Sequence, residues 1–120
     1  MKIGILCACA PEFEPYRSAL GGDTAFIHGM QRTDGVLCGH EISAVFCGIG
    51  KVNAALGAMT LIRDCGADRI IMSGVAGAIR RGVHIGQCIM ITDCIYHDLS
   101  PQLITDYHPS GIAPDFLCEK

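Results

Sequence analysis

The sequence predicts an α/β protein in which strands and helices alternate around one central sheet. Glycine-rich stretches at residues 48–57 and 73–78 place flexible backbone where a strand ends and a helix begins. Over residues 51–65, apolar side chains recur at the spacing of a helix. Residues 69–73 and 86–92 are continuous apolar runs, as expected of strands covered on both faces. A chain of 120 residues has room for one such domain.

Before residue 48, the spacing of apolar residues and the positions of turn residues predict four strands and one helix. In that helix, Phe13, Tyr16 and Leu20 are spaced to face inward. A hairpin with the two-residue turn Gly39-His40 joins the last two strands. The predicted elements are, in order, a strand over 2–8, a helix over 11–20, and strands over 25–28, 35–38 and 41–47.

The helix predicted over residues 51–65 carries one apolar stripe, which we expect to face the core. Gly66 is expected to end this helix. After the next strand come a loop over 76–85 and a strand over 86–92, and the regularity fades beyond Asp93. The stripe consists of Val52, Ala55, Leu56, Met59 and Ile62.

Composition and charge narrow the class of partner. Half of the residues are apolar and 18% are charged, which is typical of a globular domain. The formal net charge is -3 and Arg80-Arg81 is the only basic doublet, so we expect no nucleic-acid partner. No run approaches the roughly 18 apolar residues that span a bilayer, so we expect no membrane contact. The short apolar run after Met1 is interpreted as a strand and not as a signal peptide, which favours a cytoplasmic protein.

Eight cysteines are spread along the chain without a Cys-x-x-Cys pair. Metal sites need clustered ligands, so we expect no metal and no cofactor. Cys7 and Cys9 would share one face of a strand, but two thiolates leave tetrahedral zinc two ligands short. Most of the cysteines lie in apolar, strand-like segments, and we interpret them as buried free thiols. They are Cys7, Cys9, Cys38, Cys47, Cys65, Cys88, Cys94 and Cys118.

Four features converge on the carboxyl ends of the predicted strands, where α/β sheets bind ligands. Each has a structural explanation of its own, because Gly-x-Gly marks ordinary turns and Glu12 is a favourable charge in a first helical turn. His97-Asp98 has no serine in a nucleophile-elbow pattern to complete a triad. Their convergence nevertheless predicts a small-molecule site. The four features are Glu12, residues 48–50, residues 75–77 and Tyr96-His97-Asp98.

Six motifs follow one another along the chain, and their order carries a family resemblance. They are Lys2-Ile3-Gly4-Ile5, Glu12, Gly48-Ile49-Gly50-Lys51-Val52-Asn53-Ala54-Ala55, Ser73-Gly74-Val75-Ala76-Gly77, Val83-His84-Ile85-Gly86 and Tyr96-His97-Asp98. This order resembles the purine nucleoside phosphorylase/hydrolase superfamily and, within it, the bacterial 5'-methylthioadenosine/S-adenosylhomocysteine nucleosidases. The resemblance implies a mixed central β-sheet flanked by helices.

The resemblance also implies an activity and residue roles. Such enzymes hydrolyse the N-glycosidic bond of methylthioadenosine or S-adenosylhomocysteine, release adenine, serve methionine salvage and form homodimers. Glu12 would activate the attacking water, with Ala8 and Cys9 near the water and the sugar. A carboxylate suits this role, because cleavage passes through an oxocarbenium-like cation. The positions implied to lie along the sugar and the base are Ile49, Val75, Ala76 and Gly77.

The residues at two places in the sequence distinguish hydrolases from phosphorylases in this superfamily. The resemblance implies that phosphorylases carry arginines after the first strand and just before the Ser-Gly loop, where this chain has Glu12 and Met72. A carboxylate repels phosphate, so we expect water to be the nucleophile. One departure is Val75, which stands where many relatives have a hydroxyl-bearing residue.

Members of the resembled family are about twice as long as this chain. We therefore expect residues 1–120 to be the N-terminal part of a single truncated domain. The acid that protonates the purine, the Met-Glu pair for the ribose and the aromatic that stacks on adenine would lie in the other half. We expect little or no nucleosidase activity from the 120-residue polypeptide alone. Two alternatives stay open: hydrolysis of another purine nucleoside such as futalosine, and a non-catalytic nucleoside-binding module.

Overall fold

The computed structural model describes residues 1–79 and 81–94 of the chain. Residues Met1–Gly77 form one unit, a five-stranded mixed sheet with two helices, which confirms the predicted fold class. In the part of the chain that the structure describes, no helix is long and apolar enough to cross a membrane. The elements are β1 (Lys2–Cys7), α1 (Ala10–Ala19), β2 (Ala25–Ile27), β3 (Met30–Leu37), β4 (His40–Phe46), α2 (Lys51–Arg63) and β5 (Arg69–Met72).

The sheet combines a parallel part with an antiparallel part, in the order β2-β3-β4-β1-β5. β1 lies between β4 and β5 and runs parallel to both, while β3 is antiparallel to its neighbours β2 and β4. The register pairs Cys7 with Phe46, and Leu6 with Met72. Because three parallel strands end at the same edge, the segments that follow them lie side by side.

Side chains of β1 alternate between two cores, one on each face of the sheet. Ile5 and Cys7 pack with Phe13 of α1, whereas Leu6 packs with Leu61 of α2 on the opposite face. All five side chains are buried. A helix on each face therefore explains why β1 is apolar at every position of this run.

Two-residue turns join the antiparallel strands. Cys38-Gly39, and not the predicted Gly39-His40, connects β3 to β4, and β3 begins five residues before its predicted start. His28-Gly29 joins β2 to β3. The four turn residues have φ between 49° and 80°. A type I′ turn needs positive φ at both positions and favours glycine at the second, which places the turn one residue earlier than predicted.

The buried face of α2 is not the predicted one. All members of the apolar stripe are exposed, with Val52 74% and Leu56 57% exposed, so the prediction that they face the core is wrong. A Cβ on the buried Gly57 would lie 2.6 Å from Cys47 Cβ and 2.6 Å from Leu6 Cδ1. The helix backbone thus packs so close to the sheet that small residues are needed there. The positions that pack on the sheet are Ala54, Gly57, Ala58 and Leu61.

The second unit begins at Ala78 and contains no helix or strand within residues 78–79 and 81–94. The strand predicted over 86–92 is therefore wrong. An apolar run becomes a strand only where a neighbour pairs with its backbone, and the described residues form no such ladder here. The loop predicted over 76–85 is confirmed for its described residues. Tyr96-His97-Asp98 lies outside the described residues.

The seven described cysteines are free thiols, but their predicted burial is only partly correct. Cys9 is half-buried because it lies in the loop that starts α1, and Cys38 is exposed because it occupies a turn. Cys88 and Cys94 are exposed in the second unit, where no described strand forms, and Cys118 lies outside the described residues. The buried thiols are Cys7, Cys47 and Cys65.

Replacing Gly57 with alanine tests the close packing of α2. Helix propensity alone would make this change stabilising by about 1 kcal/mol. The new Cβ would overlap Cys47 and Leu6, so we expect a net loss of about 1–3 kcal/mol in the free energy of unfolding, measured with urea. Ala55→Gly on the exposed face is the control, with an expected loss of about 1 kcal/mol. A more stable Gly57→Ala protein would contradict the packing.

Candidate active site

Backbone hydrogen bonds continue past the ends of the three parallel strands. The N–H of Cys47 donates to the carbonyl of Cys7 over 3.0 Å, which extends the pairing of β4 with β1. The N–H of Ser73 donates to the carbonyl of Leu6 over 3.0 Å, which extends the pairing of β5 with β1. The segments after β1, β4 and β5 are therefore neighbours at one edge of the sheet.

Glu12 reaches this edge because only Ala8 and Cys9 separate β1 from α1. Cys9 is the N-cap of α1 and Glu12 is its third helical residue, so the side chain turns back toward the strand. Oε2 of Glu12 accepts hydrogen bonds from the N–H of Ala8 at 3.0 Å and from the N–H of Cys9 at 3.3 Å. This local geometry is that of a helix-capping carboxylate.

A third hydrogen bond distinguishes Glu12 from an ordinary cap. Oε1 accepts the N–H of Val75 at 3.0 Å, from a residue 63 positions further along the chain. Gly74 permits the approach, since a Cβ there would lie 2.5 Å from Oε1 and 2.8 Å from Cδ of Glu12. The carboxylate therefore joins the end of β1, the start of α1 and the loop after β5.

The surroundings of Glu12 favour its charged form. The N–H of Val75 contributes most to holding the pKa of Glu12 below its usual range, against a smaller opposing effect of burial. The N–H groups of Ala8 and Cys9 and the Cys9 thiol lower this pKa further. Glu12 is therefore ionised at neutral pH.

Two buried thiols near the carboxylate stay protonated. Burial raises the pKa of Cys7 to about 12, and the negative charge of Glu12 adds to this rise. Burial also raises the pKa of Cys47. Neither thiol is a thiolate nucleophile at neutral pH, whereas the Glu12 carboxylate is charged.

The carboxylate has capacity for one more partner. Ionised carboxylates offer about four acceptor positions, and three backbone N–H groups occupy three of them. The Cys9 thiol, a weak donor that also lowers the pKa of Glu12, lies at the remaining position, where a water molecule could compete with it. Such an arrangement can orient a water, accept its proton and stabilise a nearby cation.

The remaining predicted site residues lie further from the carboxylate's hydrogen bonds. Ala76 and Gly77 follow Val75 on an exposed loop, and Ile49 is exposed on the loop after β4. Among the described residues no hydrogen bond joins these three to Glu12. The structure thus brings Ala8, Cys9, Val75 and Glu12 into direct contact, while the roles of all seven residues stay predictions.

The loop that carries Ile49 has a defined backbone. Gly50 is the N-cap of α2 with φ of 110°, a conformation open to glycine and strained for other residues. The side-chain amide of Asn53 donates to the carbonyl of Ile49 over 2.8 Å and closes the first turn. These contacts explain why Gly-Ile-Gly is followed closely by asparagine in this segment.

Two features of this edge are missing from the sequence-based predictions. One is the contact of Gly74 with the carboxylate, and the other is a hydrogen bond from the Tyr16 hydroxyl to Ser73 Oγ at 2.6 Å. Glu12 and Tyr16 lie four residues apart, so they share one helix face. The four-residue spacing could have indicated that both side chains contact the same segment, but the sequence does not show which loop that segment is.

A mixed sheet with helices on both faces defines this chain as an α/β protein, and its charged side chain lies at the ends of the parallel strands, where such proteins bind ligands. The family model of the phosphorylase superfamily matches residues 2–119. The chain therefore belongs to the phosphorylase superfamily.

Relatives in this superfamily extend the comparison. A 5'-methylthioadenosine/S-adenosylhomocysteine nucleosidase of Bacillus cereus is 31% identical over 100 residues, which are 82% of this chain and 43% of that protein. The nucleosidase of the same name from Neisseria meningitidis, solved in complex with methylthio-immucillin-A, is 26% identical with a TM-score of 0.80, over 95% of this chain and 49% of that one. A futalosine hydrolase mutant from Helicobacter pylori is 28% identical with a TM-score of 0.69, over 96% and 50%. The chain spans about half the length of the relatives it matches.

Gly74→Ala tests the contact at the carboxylate. The new methyl group would overlap Glu12, whose side chain can turn away, so we expect the fold to persist and the hydrogen bond from Val75 to break. The pKa of Glu12 should then rise toward its usual range, because its largest lowering influence is lost. A ¹³C NMR titration of the carboxyl group measures this. Gly77→Ala is the control, since a Cβ there meets nothing within 4 Å; the same pKa in both variants would contradict the contact.

Proposed function

We propose that the protein hydrolyses the N-glycosidic bond of 5'-methylthioadenosine and S-adenosylhomocysteine and releases adenine. The observation that carries this proposal is the Glu12 carboxylate, held by three backbone N–H groups at the ends of parallel strands in a phosphorylase-superfamily chain. The similarity to nucleosidases of that name from two bacteria supports the choice of substrate.

In the proposed reaction, water adds to C1′ of the ribose while the bond from C1′ to the purine nitrogen breaks. The purine leaves with the bonding electron pair, and Glu12 accepts a proton from the attacking water. The charge of Glu12 also stabilises the oxocarbenium-like cation. Because the pKa of Glu12 is held low, we expect this charge to contribute more than proton transfer does. The residues proposed to surround water, sugar and base are Ala8, Cys9, Ile49, Val75, Ala76 and Gly77.

Water fits this site better than phosphate as the nucleophile. At this edge of the sheet, a phosphate ion would meet the negatively charged carboxylate of Glu12, which would repel it. Met72 ends β5 with an uncharged side chain, which offers no hydrogen-bond donor to phosphate. We therefore propose hydrolysis and not phosphorolysis.

A second substrate has an observation in its favour. The fold is also similar to a futalosine hydrolase from Helicobacter pylori. Both nucleosides would use the same carboxylate, so turnover of futalosine and of methylthioadenosine must be compared directly. Binding of both without turnover would instead favour a non-catalytic nucleoside-binding module.

Glu12→Gln tests the role of the carboxylate. The change removes the charge but keeps the shape, so we expect kcat for adenine release from methylthioadenosine to fall by roughly 10²- to 10⁴-fold. The assay uses the longest polypeptide that the gene encodes around these residues. Reading the coding DNA beyond residue 120 for a Met-Glu pair and a Ser-Asp pair shows whether the remaining groups are encoded.

Glu14→Gln is the matched control for this assay. Glu14 lies on the same helix, but it is exposed and pairs with Arg17 at the surface. Exposed pairs contribute little, so we expect its rate to stay within about twofold of the parent. A Glu12→Gln protein with the parent rate would refute the proposed mechanism.

We further propose a homodimer that uses the apolar stripe of α2. Met59 and Ile62 of this stripe are 50% and 48% exposed, in addition to the more exposed Val52 and Leu56. Beside the stripe, a cavity of about 350 Å³ is lined in part by Met30, Leu56 and Met59. A contiguous apolar surface with an adjoining cavity is typical of an interaction site.

Leu56→Lys tests the proposed interface. A charge in the centre of the stripe would be desolvated in a dimer, so we expect the mass measured by light scattering to fall from dimer to monomer at micromolar concentration. Val36→Lys on β3 is the control, because Val36 is also exposed but lies away from α2. A parent protein that is already monomeric would refute the proposal.

We also propose that the protein works in the cytoplasm, in methionine salvage. The seven described cysteines are free thiols, which is typical of a reducing compartment. The proposed partners are a purine nucleoside and a second copy of the chain, and the expectation of no nucleic-acid partner stays a prediction.

A further inference from the structure

One side-chain hydrogen bond connects α1 to the residue that follows β5. The hydroxyl of Tyr16 donates to Ser73 Oγ over 2.6 Å, between residues 57 positions apart. The ring of Tyr16 packs against the core that contains Ile5 and Phe13. Both ends of the hydrogen bond are therefore held by the fold and are not free to rotate into solvent.

This hydrogen bond runs beside the one that Glu12 makes. Tyr16 lies one helical turn after Glu12, and Ser73 lies two residues before Val75. The same two segments are thus joined twice, by Tyr16 to Ser73 and by the carboxylate to the N–H of Val75.

Ser73 is the last fixed point before the loop reaches the carboxylate. Its N–H donates to the carbonyl of Leu6, so the sheet holds its backbone while Tyr16 holds its side chain. The next residue, Gly74, has no side chain to anchor it and is exposed. The place of the Val75 N–H therefore depends on Ser73 from one side and on Glu12 from the other.

We propose that Tyr16 and Ser73 are positioning residues, which hold the loop after β5 where the Val75 N–H meets the Glu12 carboxylate. The catalytic consequence rests on the proposed function, whereas the positioning itself does not. Without the hydroxyl pair, only the backbone hydrogen bond to Leu6 fixes Ser73, so the loop can shift. The Val75 N–H, which is the carboxylate's only long-range N–H donor among the described residues, is then held less closely to Oε1.

The titratable groups that interact with Glu12 come from β1, the start of α1 and the end of β4, and residues 73–77 after β5 carry none. They are the thiols of Cys7 on β1, Cys9 before α1 and Cys47 after β4. Burial raises the pKa of Cys7 and of Cys47. Both thiols therefore stay uncharged while Glu12 is titrated in the acid range, and the measured pKa of Glu12 does not include a change in their charge.

The experiment compares five variants with the parent, each made in the longest polypeptide that the gene encodes around these residues. Tyr16→Phe and Ser73→Ala each remove one hydroxyl, the double variant removes both, and Ser73→Thr keeps the hydroxyl. Ser18→Ala is the matched control, because this hydroxyl lies on the same helix and donates to Glu14 instead. The readouts are the pKa of Glu12 by ¹³C NMR, the Val75 amide signal, thermal stability, and kcat and KM for adenine release.

We expect both single variants to raise the pKa of Glu12 toward its usual range and to shift the Val75 amide signal. We expect kcat to fall by roughly 10- to 100-fold, as for a small misplacement of a reacting group, while KM changes much less. The double variant should lose no more than either single variant, because one hydrogen bond is removed in each case. Ser73→Thr should restore both the pKa and kcat, and Ser18→Ala should match the parent.

Two different results would separate the inference from the proposed function. If Tyr16→Phe and Ser73→Ala lower only thermal stability, with the pKa of Glu12 and the Val75 signal unchanged, the pair is structural and the positioning role is wrong. If the parent, assayed as the longest polypeptide that the gene encodes around these residues, releases no adenine, the proposed function fails. The pKa and the amide signal then still decide whether Tyr16 and Ser73 position the carboxylate.

Discussion

The register of β5 against β1 is the constraint on which the edge of the sheet depends. Leu6 pairs with Met72, and this pairing brings the N–H of Val75 to Oε1 of Glu12. A slip of one residue would move that N–H by about 3.3 Å and also reverse the faces of β5. The contacts of the carboxylate with Ala8 and Cys9 are local and would survive such a slip. The third contact is a property of the folded sheet, and it links the site to the core.

This chain needs glycine at two positions where the backbone comes very close to a side chain. Gly57 brings α2 against Cys47 and Leu6, and Gly74 brings the loop after β5 against Glu12. In α2 the consequence is a helix with two different faces. Small residues pack on the sheet, and the large apolar residues that remain point outward. Those outward residues can be buried only against a surface other than this sheet. One face of α2 therefore packs on the sheet of the first unit, and the opposite face is the one proposed to form the dimer.

Much of the fold could be predicted from the sequence, because β1, α2 and β5 are marked by the spacing or run of their apolar residues, and α2 and β5 also have glycine near their ends. The orientation of α2 could not, since a stripe shows which residues are apolar but not which neighbour covers them. The strand over 86–92 failed for a related reason, as pairing depends on a partner. At the site, the proximity of Glu12 to Ala8 and Cys9 follows from sequence distance alone. The contacts with Gly74 and between Tyr16 and Ser73 depend on strand order, which no local pattern contains.

Capping a helix and the proposed catalytic role both require the side chain of Glu12 to be negatively charged. The N–H of Val75 lowers the pKa of the carboxyl most, and the N–H groups of Ala8 and Cys9, which the carboxylate caps at the start of α1, lower it further. A lower pKa makes the carboxylate a weaker base and a more permanent charge. A reaction that needed strong proton abstraction would be poorly served by such a residue. Cleavage through a cationic transition state is well served, because a fixed negative charge needs no reorganisation when the cation forms. The hydrogen bond from Val75 favours the proposed role over capping alone, since a helix cap is complete without it and a charge fixed in position is not.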